Sequence, residues 1–267
     1  MTLLLVDSDI LPYEIGFVMQ KDGVSDWPVV KKGIDNRVEM IIEGARKYSE
    51  EPIDMVVFAL SDPNGTFRQQ IATILPYKGN RTKDKPVHWD GIRAYLRDRY
   101  DAEHLPLLEG DDALLIIKEK FDDTHNVIIA SSDKDLRQVP GNFYSWPVGD
   151  NRPEKFESVS TLTAARNLWT QMLVGDRTDN ILGLFGVGPS SAAVKNLVGC
   201  QSEKQMAAYV FKEYERRFGN YAVKFFVETY RLLKLIGKDY DPDSLDPETW
   251  QTAQLADIVC LPAVWSV

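Results

Sequence analysis

A chain of 267 residues, 44% hydrophobic and 27% charged, is long enough to bury a full core and reads as one large globular domain or two unequal ones. Its formal net charge of −9 excludes a uniformly basic nucleic-acid binder. It does not exclude a local basic patch, which steers a polyanion better than a global sum does. Cys200 and Cys260 stand alone, the histidines His88, His104 and His125 form no ligand pattern, and no apolar run reaches membrane length. A disulfide framework, a zinc centre and a membrane partner are therefore not expected.

Met1 to Val6 is apolar, but Asp7 and Asp9 follow at once and no basic stretch precedes it, so a strand is expected rather than a secretion signal, and the location expected is cytoplasmic. Leu3-Leu4-Leu5-Val6 has the short continuous apolar character of a buried parallel strand. Val38, Ile41, Ile42 and Ala45 recur at helical spacing and predict a helix from Arg37 to Ser49. Met55 to Leu60 predicts a second strand with Asp62 just past its end. Asn126 to Ala130 predicts a third, which stops at Ser131-Ser132-Asp133-Lys134-Asp135, and Phe143 to Trp146 a fourth. In open α/β sheets ligands bind beyond the carboxyl ends of the strands, so Asp7, Asp62, Asp133 and Asp135 are expected along one edge. Any one of them is equally a turn residue; together they read as a site.

Between the second and third strands lie two charged stretches. From Pro76 to Tyr100, Lys78, Arg81, Lys83, Lys85, Arg93, Arg97 and Arg99 outnumber Asp84, Asp90 and Asp98, with a helix predicted at Trp89 to Tyr100. Then Glu109, Asp111 and Asp112 crowd into four residues and run into the apolar helical segment Ala113 to Ile117. Acids suit a first helical turn, and one would serve as a cap. Three so close repel one another, which hard divalent cations relieve. Further on, Gly175-Asp176-Arg177-Thr178-Asp179-Asn180 leads into a glycine hairpin at Gly183, Gly186 and Gly188. Pro189, Ser190 and Ser191 then open a predicted helix, giving a helix-hairpin-helix-like element suited to a nucleic-acid backbone. From Gln201 the pattern is helical, with Met206, Val210, Phe211 and Tyr214 in one stripe and Val223, Phe226, Val227, Tyr230, Leu233 and Leu235 in another. A turn-rich linker from Asp241 to Pro247 precedes a last predicted helix at Glu248 to Val259.

Five blocks in this order resemble the motifs of the flap endonuclease and 5′→3′ exonuclease superfamily, most nearly its short bacteriophage members. They are Tyr77-Lys78-Gly79-Asn80-Arg81, Glu109-Gly110-Asp111-Asp112, Ser132-Asp133-Lys134-Asp135-Leu136, Gly175 to Asn180, and Gly186-Val187-Gly188. Asp7 and Asp62 match the family's first two aspartates. The resemblance implies an α/β fold, with a mainly parallel sheet flanked by helices in a 5′-nuclease, PIN-like core over residues 1–160 and a helical region with the hairpin over residues 161–267. It implies a Mg²⁺-dependent 5′→3′ exonuclease on duplex DNA with a 5′ end or flap, accompanied by RNase H action on RNA–DNA hybrids and short-flap cleavage; an obligate flap endonuclease is the alternative. Two Mg²⁺ ions are implied, with Mn²⁺ as a substitute. Asp7, Asp62, Glu109, Asp111 and Asp112 would surround one, and Asp133, Asp135, Asp176 and Asp179 the other. Asp111 joins Lys78 and Arg81 in the implied catalytic set, the two cations contacting the scissile phosphate. Tyr77 would stack on the terminal base. Lys83, Lys85, Gly186, Gly188, Ser190 and Ser191 would hold the nucleic-acid backbone, with Arg68, Arg93 and Arg97 as weaker candidates. Phe67 reads as core, and Asp9 as a turn residue or an outer support of the site.

Two departures narrow the reading. Pro189 and Ser190 stand where many members carry a lysine, so a K⁺ ion at the hairpin is left open. Pro86 and Pro106 confine the helix of the basic segment, which is short for a large arch and favours exonuclease action. Asp7-Ser8-Asp9 with Ser131, Ser132 and Lys134 also resembles the haloacid dehalogenase phosphatases. That family leaves Tyr77 to Arg81, Glu109 to Asp112 and the hairpin without a role. A non-catalytic DNA-binding relative is disfavoured by the intact acidic set, which repels a phosphate backbone unless cations intervene.

Overall fold

The computed structural model describes residues 1–81, 84–149, 152–238, 240, 241 and 243. In chain order its elements begin with β1 (Thr2–Asp7), α1 (Leu11–Lys21), α2 (Trp27–Arg46), β2 (Ile53–Ala59), α3 (Phe67–Ile71), α4 (Trp89–Tyr100) and α5 (Gly110–Phe121). They continue with β3 (Asn126–Ala130), β4 (Gly141–Ser145), β5 (Lys155–Val159), α6 (Thr161–Val174), the short strands β6 (Gly175–Asp176) and β7 (Ile181–Leu182), α7 (Ala192–Leu197), α8 (Glu203–Phe218) and α9 (Ala222–Leu233). The described residues divide into two units: those within Met1–Thr66, 84–136 and Gly141–Val159 form the first, and those within 67–81, Arg137–Pro140 and from Ser160 onward form the second. The sequence reading places a single boundary after residue 160. The two inserted pieces of the second unit depart from it.

The first unit is built on a five-stranded sheet in the order β2-β1-β3-β4-β5. The first four strands are parallel and β5 runs antiparallel to β4. β1 lies between β2 and β3, with Leu4 opposite Val56 on one side and Ile128 on the other, and every residue of β1 is buried. Such burial on both faces requires the unbroken Leu3 to Val6 run. β5 escapes the pattern because it is an edge strand carrying Lys155 and Glu157, charges that blunt an open sheet edge. The helix predicted at Arg37 starts ten residues earlier, at Trp27, because Pro28 serves its first turn and Val30 and Ile34 extend the buried stripe of Val38, Ile41 and Ala45. α4 has its predicted bounds, and Ile92, Arg93 and Leu96 are its buried side.

The second unit has its own core, from Leu168, Trp169 and Met172 of α6, Met206, Val210 and Tyr214 of α8, and Phe226, Tyr230 and Leu233 of α9. Trp169 stacks on Phe226 and Tyr230 with ring centroids 6.0 and 5.8 Å apart. Arg68, expected as a backbone contact, is 1% exposed. Its Nε donates to the Leu232 carbonyl at 2.9 Å and its Nη2 to that of Lys234 at 3.1 Å, which satisfies carbonyls at the end of α9. Phe67 is buried, as expected. These contacts make residues 67–82 part of the second unit. No described helix is long and apolar enough to cross a membrane. Lys83 and the helix predicted at Glu248 to Val259 lie outside the described residues.

Candidate functional site

Asp7 ends β1 and is 2% exposed. Ser131, just past β3, donates its hydroxyl to Asp7 Oδ2 at 2.7 Å. The Asp7 carboxyl is pushed up to about 7, first by burial, then by the negative charges of Asp9 and Asp133, while the Ser131 hydrogen bond pulls the other way. Asp111 is held well above the usual carboxylate range. The protein packed around its carboxyl is the largest cause, although part of the side chain still reaches solvent, and the charges of Asp7, Asp133, Glu109 and Asp112 add to it. The first unit thus gathers several acids near the ends of β1 and β3.

The structure sorts the predicted acids of this unit. Glu109 and Asp112 form a reciprocal capping box on α5, with Glu109 N donating to Asp112 Oδ2 at 3.0 Å. Asp112 is buried in that role. The bland reading therefore accounts for two of the three crowded acids and leaves Asp111 to the site. Asp62 holds a turn: its Oδ2 accepts from Leu107 N at 2.8 Å and its Oδ1 from Asn64 N at 2.9 Å. Asp133 accepts from Asp135 N at 2.8 Å, and Asp135 lies 3.8 Å from Lys134 Nζ. Asp9 takes Ser61 N at 2.8 Å and Arg93 Nη1 at 2.5 Å, so Arg93 is a buried structural cation and not the expected contact to a nucleic-acid backbone. The place of Ile92 and Leu96 on the buried side of α4 is the sequence signal that Arg93 lies inside.

Hard carboxylate oxygens that raise one another's proton affinity suit a divalent cation. Asp7 and Asp111 have that chemistry, with Asp133 among the charges that act on both. Among the described residues, however, no three carboxylates, histidines or cysteines are drawn closely enough to hold a metal ion as they stand. The electrostatic coupling and the open arrangement describe one situation: the acids crowd each other without closing, and a cation would have to draw them in.

In the second unit two predicted motifs, about 100 residues apart, are laced together. Lys78 N donates to the Asp179 carbonyl at 2.9 Å, Asn80 Nδ2 to that of Arg177 at 2.6 Å, and Asn180 Nδ2 to that of Pro76 at 2.9 Å. Asp179, a predicted metal ligand, has a carboxylate engaged by this lacing: Oδ2 accepts the Tyr77 hydroxyl at 2.8 Å and Oδ1 accepts Arg81 Nη2 at 2.6 Å, with Lys78 Nζ 3.7 Å away. Tyr77 is 7% exposed and its ring belongs to the core of this unit, so it does not present the face that base stacking needs. Lys78 has a left-handed backbone (φ 56°), which costs a non-glycine residue about 1–3 kcal/mol. A partly exposed ion pair returns about 0–1 kcal/mol. Asp176 is buried and turns the chain, accepting Thr178 N at 2.7 Å.

Gly186 (φ 74°) and Gly188 have open space where a side chain would project, as a hairpin approached by a ligand requires. The helix beyond them starts later than predicted: Ser191 is the N-cap of α7 and accepts Val194 N at 3.4 Å, while Pro189 and Ser190 stay outside and exposed. Phe185 at the tip is 91% exposed, and Arg217 of α8 donates to its carbonyl. In the first unit Lys85 Nζ lies 3.6 Å over the Trp89 ring.

No family model matches the chain. A curated 5′-3′ exonuclease of Mycoplasmopsis pulmonis is 29% identical over 155 residues, which cover 54% of this chain and 50% of that relative. The match thus spans half the length of the curated protein. Among solved structures, the T5 D15 protein co-crystallised with metal ions aligns with 97% of this chain and 100% of its own at TM-score 0.60 and 17% identity. The bacteriophage T5 D15 flap endonuclease in a pseudo-enzyme-product complex with DNA and metal ions aligns over 97% and 99%, also at TM-score 0.60 and 17% identity. A mutant of the T5 5′-exonuclease aligns over 96% and 98% at TM-score 0.56 and 15% identity. At these identities the solved structures establish the fold, a 5′-nuclease sheet flanked by helices. The chain is thus similar in sequence to a curated 5′-3′ exonuclease over half of that protein's length, and similar in fold to the T5 nucleases.

Proposed function

We propose that the chain is a Mg²⁺-dependent 5′→3′ exonuclease that hydrolyses phosphodiester bonds of duplex DNA from 5′ ends. The observation that carries the reading is the crowding of carboxylates around Asp7, at the end of β1, and Asp111, in the first turn of α5, whose proton affinities are raised by burial and by neighbouring acids, Asp133 among them. Asp7, Asp111 and Asp133 would hold divalent cations, with Mn²⁺ as a substitute for Mg²⁺. When bound, such ions supply hydroxide near neutral pH and offset charge on the attacked phosphate. Lys78 and Arg81 would take the phosphate, Arg81 as a fork and Lys78 as a point charge. Gly186, Gly188, Ser190 and Ser191 would lie along the backbone of the duplex without reading its sequence.

Exonuclease action is favoured over obligate flap cleavage because α4, the helix of the basic segment, buries Ile92, Arg93 and Leu96 in the first unit. A helix anchored on that side is a poor candidate for a wide arch. Flap cleavage is the second reading, favoured by the naming of the T5 relative as a flap endonuclease. RNase H action on RNA–DNA hybrids is part of the same proposal. The test is a 5′-labelled duplex with a short 5′ flap, incubated with and without Mg²⁺ or Mn²⁺, and sizing of the labelled product. Labelled mono- or dinucleotide appearing only with the cation supports exonuclease action, and a flap-length product supports the second reading. DNA that is bound but uncut with either cation overturns both.

A further inference from the structure

The acid and the cations that the family resemblance assigns to separate tasks meet in one cluster of the second unit. Asp179 offers both carboxylate oxygens: one to Arg81 Nη2 at 2.6 Å, the other to the Tyr77 hydroxyl at 2.8 Å, with Lys78 Nζ at 3.7 Å from the same oxygen. An arginine fork with a lysine beside it is the arrangement proteins use to receive the two non-bridging oxygens of a phosphodiester. Here one carboxylate oxygen already takes an arm of that fork, and the other lies near the lysine. The cluster borders solvent, since the Arg81 side chain is 46% exposed and that of Asp179 13%. The backbone bonds from Lys78 and Asn80 to the Asp179 and Arg177 carbonyls fix the loop whether or not the carboxylate is charged.

We propose that Asp179 stands in for the substrate phosphate: in the uncomplexed protein its carboxylate holds Lys78 and Arg81 in the arrangement that receives a phosphodiester, and the arriving phosphate takes its place. This rests on the reading that Lys78 and Arg81 contact phosphate. Asp179 is then a positioning residue that competes with nucleic acid and lowers the affinity of the basic loop for it. In the uncomplexed protein its carboxylate is engaged by the two cations.

The experiment measures equilibrium binding of a 5′-fluorescein-labelled flap duplex by anisotropy, in EDTA at low salt, and counts the Mn²⁺ bound by the DNA-free protein. It compares the parent, Asp179→Asn, Asp179→Ser and Arg81→Ala, each checked for an unchanged thermal melt. Asp179→Asn keeps an acceptor for Tyr77 but removes the competing charge, so it should bind roughly three- to tenfold more tightly than the parent, with the gap narrowing as salt rises. Asp179→Ser, which removes the charge with a different shape, should also bind more tightly. The Mn²⁺ count should not change. Binding no tighter than the parent in both folded variants, or loss of a Mn²⁺ ion on Asp179→Asn, overturns the proposal. If Arg81→Ala weakens binding in those circumstances, only this inference falls. If Arg81→Ala binds as well as the parent, the loop does not hold phosphate and the functional reading of Lys78 and Arg81 falls with it.

Discussion

Arg93 and Asp9, 84 positions apart, close an ion pair at 2.5 Å. The other terminal nitrogen of Arg93 donates to the Ser61 carbonyl at 2.6 Å, Ser61 N donates to Asp9 Oδ2 at 2.8 Å, and Gly110 N donates to Ser61 Oγ at 3.1 Å. One pair thus joins the ends of β1 and β2, the buried side of α4, and the first residue of α5, which presents Asp111. Asp9 supports the site through this pair and also adds its charge to those acting on Asp7. Gly110 is required there because a Cβ would lie 2.8 Å from Asp9 Oδ2.

Removing one partner of a buried pair leaves the other charge stranded. The Arg93 side chain is 6% exposed and that of Asp9 28%, so water relieves a stranded aspartate more easily than a stranded arginine. Asp9→Asn, which strands Arg93 but keeps an acceptor for Ser61, is expected to cost about 2–3 kcal/mol. Arg93→Met, which replaces the buried cation with an apolar chain, should cost less, about 1–2 kcal/mol. Urea denaturation of both variants and the double mutant measures this. Non-additivity in the double mutant is the signature of the pair, and strictly additive losses would show that the two residues act separately.

The crowded acids make a second prediction, with a definite sign. Asp7 is raised from 3.8 to about 7 in the folded chain, so the fold holds its proton more tightly than the unfolded chain does. Its contribution to stability is therefore complete below pH 3.8 and is lost as the pH rises through about 7. In EDTA the melting temperature should fall over that window. Asp111→Asn removes a charge that acts on Asp7, and should stabilise the metal-free protein at pH 8 by about 1 kcal/mol or more. Mg²⁺ should raise the melting temperature of the parent and have much less effect on the variant. A metal-free variant less stable than the parent at pH 8 would show that Asp111 is not under electrostatic load.

β1, β2 and β3 were legible because each carries a short apolar run followed within a few residues by an acid, and β3 and α4 have their predicted bounds. The edge strand β5 was not, because three of its five residues are polar and, among the described residues, it pairs with β4 alone. Within the Glu109 to Asp112 cluster, the spacing of three residues between Glu109 and Asp112 already permits a capping box, but only the fold shows that Asp111 is the acid left over. The engagement of Asp179 was beyond reach from sequence, since Tyr77 lies 102 positions away and no periodicity links the two. Arg68 and Arg93 were misread as surface cations because sequence patterning counts a positive charge as exposed, whereas these two have carbonyls and a carboxylate to satisfy them inside.

Two glycines of the second unit should respond in opposite ways. Gly175 has φ 73°, and a Cβ there would lie 2.3 Å from Gly183 N and 2.4 Å from the Ile181 carbonyl. Gly175→Ala must push β6 and β7 apart, at a cost of about 3 kcal/mol or more. Gly188 meets nothing within 4 Å and has no left-handed backbone, so Gly188→Ala should melt with the parent. If the hairpin lies on a duplex as proposed, that added methyl should still weaken DNA binding. Thermal melts beside anisotropy titrations separate the two effects, and equal melts for both variants would refute the packing argument at Gly175.

Phe185 offers the sharpest separation of folding from binding. At 91% exposure its ring has little to lose on truncation, and Phe185→Ala should leave stability within about 0.5 kcal/mol of the parent. Its backbone is nonetheless held, because Arg217 donates to its carbonyl and Gly186 turns the chain at φ 74° directly after it. A large apolar ring on a fixed hairpin tip costs solubility and is expected to have a partner surface. If the hairpin holds a duplex, truncation should weaken flap-duplex binding in EDTA by roughly three- to tenfold, raising KM with little change in kcat. Phe185→Trp then supplies a direct reading, because an indole at the tip should change its emission when DNA is added and not when Mg²⁺ alone is added. Unchanged binding in Phe185→Ala together with unchanged emission in Phe185→Trp would place the tip away from DNA and confine the duplex contact to the glycine backbone and Ser190 and Ser191.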